Sequence, residues 1–280
     1  MWSTIKMYSG IPFPDIDPVL FQLGFFQLRW YSLAYIFGII GAWFLARRMS
    51  TVKQSVFTVL KIDDYLVWGT VGIILGGRLG YVLFYNASYY LEFPLKILAL
   101  WEGGMSFHGG LLGVIIATFL FSKTRGIPIF EMSDILVCVA PVGLLLGRIA
   151  NFCNGELFGR ITHQVPWAII FPHGGPEPRH PSQLYEAFCE GVLLFIILNA
   201  IFWFSERLRK RTGFLTGLFF LLYGIFRFIV EYTREPDGHL GLVLSGLTMG
   251  QLLSLPMVLF GIYIIRKSSY KNKLKKISFE

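Results

Sequence analysis

Charge is scarce in this sequence. Only 15% of its 280 residues are Asp, Glu, Lys or Arg, against 54% hydrophobic, with 27 Phe among them and a mean hydropathy of +0.59. A water-soluble fold of this length has too little interior to hide that much apolar surface, whereas lipid is a solvent that accepts it. Cysteine is nearly absent too. Cys138, Cys153 and Cys189 show no Cys-x-x-Cys or other metal spacing, which argues against a cysteine-ligated metal, and they read as packing residues. No Asp, His and Cys cluster has metal-ligand spacing, so neither a metal nor a cofactor is expected. The N-terminus lacks a short apolar core followed by a small-residue cleavage site, so no removable signal peptide is expected. Low-complexity tracts and clear internal repeats are missing. So are a Gly-x-Ser-x-Gly elbow, a His-Glu-x-x-His pair and an intramembrane Asp pair, which disfavours an intramembrane protease. The one Gly-rich stretch in a helix, Gly72 to Gly80, lacks the Lys-Ser/Thr ending of a nucleotide loop and reads as small residues at a helix–helix contact.

What the sequence does have is long apolar runs. A span needs about 20 apolar residues at a rise of ~1.5 Å each. Seven candidates lie at about 30–46, 65–85, 106–122, 130–150, 183–204, 214–232 and 246–265. The expected fold is all-α: a polytopic integral membrane protein of about seven transmembrane helices, with residues 1–280 as one membrane-embedded domain. Lys and Arg orient it. Arg47, Arg48, Lys53 and Lys61, then Lys123 and Arg125, then Arg207, Arg209, Lys210 and Arg211, then the tail from Arg266 to Lys276, all fall on one side of seven spans. The opposite connectors hold only Lys6, Arg29, Lys96, Arg160, Arg179 and Arg234. The positive-inside rule then puts the N-terminus outside and the C-terminus in the cytoplasm. The net charge of +8 is accounted for by this topology and by attraction to anionic lipid, not by nucleic acid. The basic tail, 266–280, reads as a topology determinant and lipid anchor. The longest connector, 151–182, faces outward and is rich in Gly and Pro; a loop of that length is functional or flexible, and its flanks favour function.

Arg78, Arg148 and Arg227 stand inside or at the ends of these spans. An Arg at the bilayer centre costs at least ~2.5 kcal/mol, so such residues face the bundle interior and pair with anions. Glu156, Glu231, Asn151, Asn154, His108, His180, Gln183, Tyr185 and Glu186 lie toward the same outer ends. Together they suggest one polar site opening near the outer leaflet, with Arg78 and Tyr185 among the groups expected to contact a ligand. Glu231 follows Arg227 by four residues, so the two can meet on one helix face; such a pair can also be helix glue. Three arginines with fewer neighbouring acids than would neutralise them favour an anionic ligand. Phosphate suits arginine because the planar guanidinium grips two oxygens, and in a membrane the abundant phosphate is a lipid headgroup. His108, in Ser106-Phe107-His108-Gly109-Gly110-Leu111, is a packed histidine or a proton carrier. A lipid or anion transporter shares the intramembrane arginines but calls for pseudo-symmetric halves, which are not evident. A non-catalytic scaffold would leave no reason to gather the polar groups at one leaflet.

The run from Gly147 to Gly159, Gly-Arg-Ile-Ala-Asn-Phe-Cys-Asn-Gly-Glu-Leu-Phe-Gly, resembles the signature of the bacterial prolipoprotein diacylglyceryl transferases. Four other segments are similar to that family in the same order: Arg29-Trp30-Tyr31, the His108 segment, His180-Pro181-Ser182-Gln183-Leu184-Tyr185-Glu186, and Tyr223-Gly224-Ile225-Phe226-Arg227-Phe228 followed by Glu231. The resemblance covers nearly the whole chain. It implies seven spans with the N-terminus outside, in the bacterial inner membrane, and a site toward the outer face. It also implies the activity: a diacylglyceryl group moves from phosphatidylglycerol to the lipobox Cys thiol of a prolipoprotein, a thioether forms and glycerol phosphate leaves. Arg148 and Arg227 match the family's essential arginines. Tyr31, His108, Asn151, Glu156, Gly159, Tyr223 and Glu231 match other positions that the family relies on. Cys153 is expected to be a variant of a small residue, not a nucleophile.

That chemistry is reasonable for these residue types. A thiol of pKa ~8.5 is mostly protonated at neutral pH, so a base or a positive field assists it; His108 and Glu156 are both candidates. The departing phosphate gains negative charge, which Arg148 and Arg227 are expected to stabilise in a water-poor pocket. Gly155 and Gly159 are expected to let the loop backbone approach the lipid head. The implied partners are phosphatidylglycerol, the lipobox segment of a prolipoprotein and the bilayer.

Overall fold

In the computed structural model the described residues are 10–24, 26–53, 56–236 and 246–277. Eight helices carry the architecture: α1 (Trp30–Lys53), α2 (Val59–Tyr85), α3 (Ala87–Glu92), α4 (Phe107–Arg125), α5 (Ile129–Cys153), α6 (Ser182–Phe204), α7 (Phe214–Val230) and α8 (Met249–Ile277). Six of them, α1, α2, α4, α5, α6 and α8, are long and apolar enough to cross a membrane, and α7 is a shorter apolar helix. The chain is thus a mostly helical, polytopic membrane protein, and each expected apolar run lies on one of these helices. Their outer faces expose Phe44, Leu60, Phe84, Leu120, Phe204 and Leu259, side chains that suit contact with lipid tails.

The chain divides into two compact units, Met1–Ala42 with Leu136–Glu280, and Trp43–Ile135. In the second unit α2 packs along α4 through small residues. A Cβ added at Gly72 would meet Ala117 Cβ at 2.8 Å, and one at Gly80 would meet Gly109 Cα at 2.7 Å. One added at Gly113 would collide with the Gly72 carbonyl oxygen. The glycine stretch is therefore a helix–helix contact, where close backbone approach replaces the missing hydrophobic drive between helices in lipid. Helix α4 starts with Ser106, whose hydroxyl accepts from Gly109 N at 3.2 Å, and stops at Gly126, which adopts φ 62° and returns its N–H to Ser122 O.

In the first unit α7 packs along α8 in the same way: a Cβ at Gly217 would meet the Gly261 carbonyl oxygen at 2.9 Å. Gly191 of α6 lies against Leu145 of α5, and Gly38 of α1 against Gly143 of α5. The expected all-α reading misses four short strands: β1 (Ile11–Pro12), β2 (Val19–Leu23), β3 (Phe26–Arg29) and β4 (Ile169–Ile170). β2 and β3 form an antiparallel hairpin, and β1 pairs in parallel with β4. The long connector 151–182 is held by its own small core. Phe13, Phe152 and Phe158 surround the buried Phe171, and backbone bridges join Ile161 and Ile169 to Arg179, and Gly159 to Arg234. Lys6, residues 278–280 and the side chains of Lys53 and of Lys271 to Lys276 lie outside what is described.

Candidate active site

The first unit gathers three arginines and three glutamates from α5, α6, α7 and the turn after α7. Arg148 projects from the last turns of α5, and Arg227 from the last turn of α7. Both reach the same atom: Arg148 Nη2 is 2.7 Å and Arg227 Nη1 is 2.6 Å from Glu186 Oε2. Arg234 Nη1 reaches Glu186 Oε1 at 3.3 Å. The other nitrogen of Arg227 pairs with Glu231 Oε2 at 2.8 Å, one helical turn on, as the four-residue spacing predicts. The side chains of Glu186 and Glu190 are completely buried, a situation that charged groups tolerate only when paired.

Glu190 is bound differently. Its oxygens lie 3.7 Å from Arg148 and 3.6 Å from Arg227, beyond hydrogen-bond distance of both. Tyr223 is its remaining polar neighbour. Glu190 sits in a π-helical turn, Ala187–Leu193, inside α6. Such turns are rare, and frequent at functional sites.

Glu231 joins α7 to the start of α8. The Thr248 hydroxyl donates to Glu231 Oε1 at 3.0 Å, and the carboxylate fills the space beside Gly250, where a Cβ would lie 2.6 Å from Glu231 Cδ. Thr248 Oγ1 in turn accepts from Gln251 N at 3.3 Å, and a carboxylate beside a helix N-terminus is favourably placed, so Glu231 pairs with Arg227 and anchors the residue that caps α8.

Glu156 lies just past α5 in the same unit. The side-chain amides of Asn151 and Asn154 both donate to its Oε1, at 2.9 and 3.2 Å. Its backbone carbonyl accepts from Gln183 Nε2 at 2.6 Å, and the Leu157 carbonyl accepts from Ser182 Oγ at 3.0 Å. Leu157 has φ 56°, a left-handed conformation uncommon outside glycine. The Pro-Ser-Gln stretch thus pins the Glu156–Leu157 turn to the start of α6. His180 Nδ1 lies 3.2 Å from the Tyr185 hydroxyl, which accepts the Trp167 indole N–H at 2.6 Å. Burial lowers the His180 pKa below the ordinary histidine value.

Two sequence expectations change here. Arg78, Arg148 and Arg227 are expected to have too few acids nearby to neutralise them and their neighbours; in this unit Glu186, Glu190 and Glu231 lie against Arg148 and Arg227, with Arg234 also on Glu186. Gly159 was expected to open the loop to a ligand. Its free face is filled by protein instead: a Cβ there would meet His180 Cβ and O at 2.7 Å and collide with Thr233 O.

Tyr31, at the start of α1, stacks obliquely on Tyr35 with ring centroids 5.2 Å apart. His108 and Arg78 belong to the other unit. His108 is in the first turn of α4, its ring edge-on to Phe107. Among the described residues Arg78 meets no side-chain acid. Its guanidinium donates to the backbone carbonyls of Lys96, Ile97, Ala99, Gly103 and Gly104 and lies over the Tyr90 ring. Its charge is solvated by carbonyl dipoles, and it ties down the segment between α3 and α4. Among the described residues, no group of three His, Cys, Asp or Glu is placed to hold a metal ion.

A model of the family described as prolipoprotein diacylglyceryl transferase matches residues 18–266. The chain belongs to this family. Among similar proteins are phosphatidylglycerol–prolipoprotein diacylglyceryl transferases of Rhodospirillum rubrum, 53% identical over 92% of this chain and 94% of that one, and of Paramagnetospirillum magneticum, 51% identical over 92% and 96%. A protein of that name from Brucella anthropi is 48% identical over 96% of this chain and 98% of its own. The relatives are matched along almost their whole length, and the family match, 18–266, runs through both units and spans the cluster.

Three partners in the cluster escaped the sequence reading: Glu186 as the shared acceptor, Glu190, and Arg234. The signal for the first two is present in the chain. Two carboxylates four residues apart, the second well inside an apolar span, are as unfavourable in lipid as the arginines. Arg234 follows the end of α7 and carries no such flag; the bridge between Gly159 and Arg234 and the bond from Arg160 Nε to the Arg234 carbonyl help to place it.

Proposed function

We propose that this protein transfers the diacylglyceryl group of phosphatidylglycerol to the lipobox cysteine thiol of prolipoproteins, the first step of bacterial lipoprotein maturation. The C–O bond between the diacylglyceryl carbon and the phosphate oxygen breaks and an S–C thioether bond forms. The thiol proton ends on the departing glycerol phosphate. Family membership supports the reaction, and the observation that carries the site is the pairing of Arg148 and Arg227 through one buried carboxylate.

Two guanidiniums fixed by Glu186 are preorganised. They need no reorientation when charge develops on the leaving phosphate, which is where such donors act most strongly. Arg148, Arg227, His108, Tyr31 and Glu156 form the proposed catalytic set. Asn151, Gly159, Tyr223, Glu231, Arg78 and Tyr185 complete the proposed substrate site, Gly159 by allowing its loop to close on His180. Glu156, with both neighbouring amides on one oxygen, and His108 are the two candidates to receive the thiol proton. We place the chain in the inner membrane with seven spans, the N-terminus outside, the C-terminus in the cytoplasm and the site toward the outer face. The distribution of Lys and Arg supports this orientation. The family match through both units supports reading 1–280 as one catalytic domain.

The test is a transfer assay with purified protein in detergent, phosphatidylglycerol and a lipobox peptide. The expected result is a peptide mass gain of one diacylglyceryl group with release of glycerol phosphate, both lost with a Cys→Ser peptide. R148A and R227A are expected to lower turnover by ~10²–10³-fold while the protein still inserts. Near-normal turnover in either variant removes that arginine from the phosphate clamp.

A further inference from the structure

The cluster in the first unit holds three arginines against three glutamates, so with every group ionised it is neutral before any substrate arrives. A phosphodiester headgroup brings one more negative charge into a site with little water. An uncompensated buried charge is strongly unfavourable, and the usual escape is neutralisation of one group by a proton.

The three carboxylates are not equally able to give up their charge. Glu186 holds arginine nitrogens at 2.6 and 2.7 Å, and Glu231 holds Arg227 at 2.8 Å and the Thr248 hydroxyl at 3.0 Å. Neutralising either one gives up an arginine ion pair shorter than 3 Å. Glu190 is fully buried with no arginine nitrogen within hydrogen-bond distance of either oxygen, its arginine contacts are the longest in the cluster, and its remaining polar neighbour is the Tyr223 hydroxyl. The groups facing it are Arg148 from α5, Tyr223 and Arg227 from α7, and Glu186 and Cys189 on its own helix. Both arginines that it touches are those proposed to hold the phosphate.

We propose that Glu190 takes up a proton from solvent when the anionic phospholipid headgroup binds, freeing the charge of Arg148 and Arg227 for the phosphate while Glu186 holds both in place. Glu190 is thereby a positioning residue for the two arginines, with its charge exchanged for that of the substrate. The inference rests on the phosphate-clamp reading above.

The experiment is titration calorimetry of the purified protein in detergent with a short-chain phosphatidylglycerol. Two buffers of equal pH but different ionisation enthalpy are used. The phosphodiester itself does not titrate near neutral pH, so any proton uptake belongs to the protein. The wild type is expected to take up about one proton per lipid bound, and E190Q, already neutral there, to bind with uptake lost. Infrared difference spectra of the wild type with and without lipid are expected to show a new protonated-carboxyl band, absent in E190Q and shifted in E190D. Should E190Q fail to fold, the wild-type uptake and the E190D shift still decide. Binding without proton uptake, uptake undiminished in E190Q, or a band unmoved in E190D overturns the inference while leaving the clamp in place. Failure of the wild type to bind the lipid overturns the clamp itself.

Discussion

Arg148 Nη2 and Arg227 Nη1, from two different helices, lie 2.7 and 2.6 Å from one oxygen of Glu186. Each arginine is aimed by a carboxylate that is itself sealed from water. Arg227 spans two acids, Glu186 with one nitrogen and Glu231 with the other. A lysine has a single charged nitrogen and cannot span both. R148K and R227K are therefore expected to insert and keep Glu186 paired, yet to lose roughly 10²-fold in turnover. E186A leaves the arginines uncompensated and is expected to lose ~3–5 kcal/mol of stability. Steady-state transfer rates and melting in detergent, measured side by side, separate the two effects. Equal destabilisation in the lysine and E186A variants contradicts this account.

Gly250 is expected to be intolerant for the same reason that Glu231 is well placed. An added Cβ would lie 2.6–2.7 Å from the Glu231 carboxylate and push it off Thr248 and Arg227. G250A is expected to cost ~1–3 kcal/mol and to lower activity. Gly143, in the interior of α5, has open space where a Cβ would go. G143A is expected to be neutral or to gain ~0.5–1 kcal/mol. Thermal unfolding of the two variants in the same detergent checks the contrast.

Arg78 supports structure between α3 and α4 through five carbonyls. In R78A that segment loses its anchor, while the glycine contact between α2 and α4 is untouched. Amide exchange over residues 96–104 is expected to accelerate by about tenfold or more, since one hydrogen bond to a charged group contributes ~1.5–3 kcal/mol. Unchanged exchange there means that other contacts hold the segment.

His180 adds a pH dependence of known sign. Burial lowers its pKa in the folded protein, so the unfolded chain binds the proton more readily. The stability that neutral His180 supports is present above ~6.5 and declines as pH falls through that value toward the lower folded pKa. H180N, which keeps a polar side chain without titrating, is expected to flatten unfolding profiles between pH 7 and 5 relative to wild type, a window set by the ordinary histidine pKa of ~6.5.

The apolar runs were legible in the sequence because hydrophobicity adds along contiguous residues, and each run became a helix. The Arg227–Glu231 pair was legible because four residues make one turn, and the glycines of α2 because small side chains at that spacing serve close packing. Family motifs, quoted from the chain alone, led to the same family that its relatives show. What tertiary structure decided is which polar groups meet. Glu186 and Glu190 stand four residues apart on one helix, yet one is the hub for three arginines and the other has no arginine within hydrogen-bond distance. That difference depends on the rotation of α6 and its π turn against α5 and α7. Gly159 likewise reads as a permissive position, and only the packed His180 and Thr233 show it to be a tight one. Sequence order fixes what is near along a helix; pairing across helices is set by rotation and register, which arise only when the bundle closes.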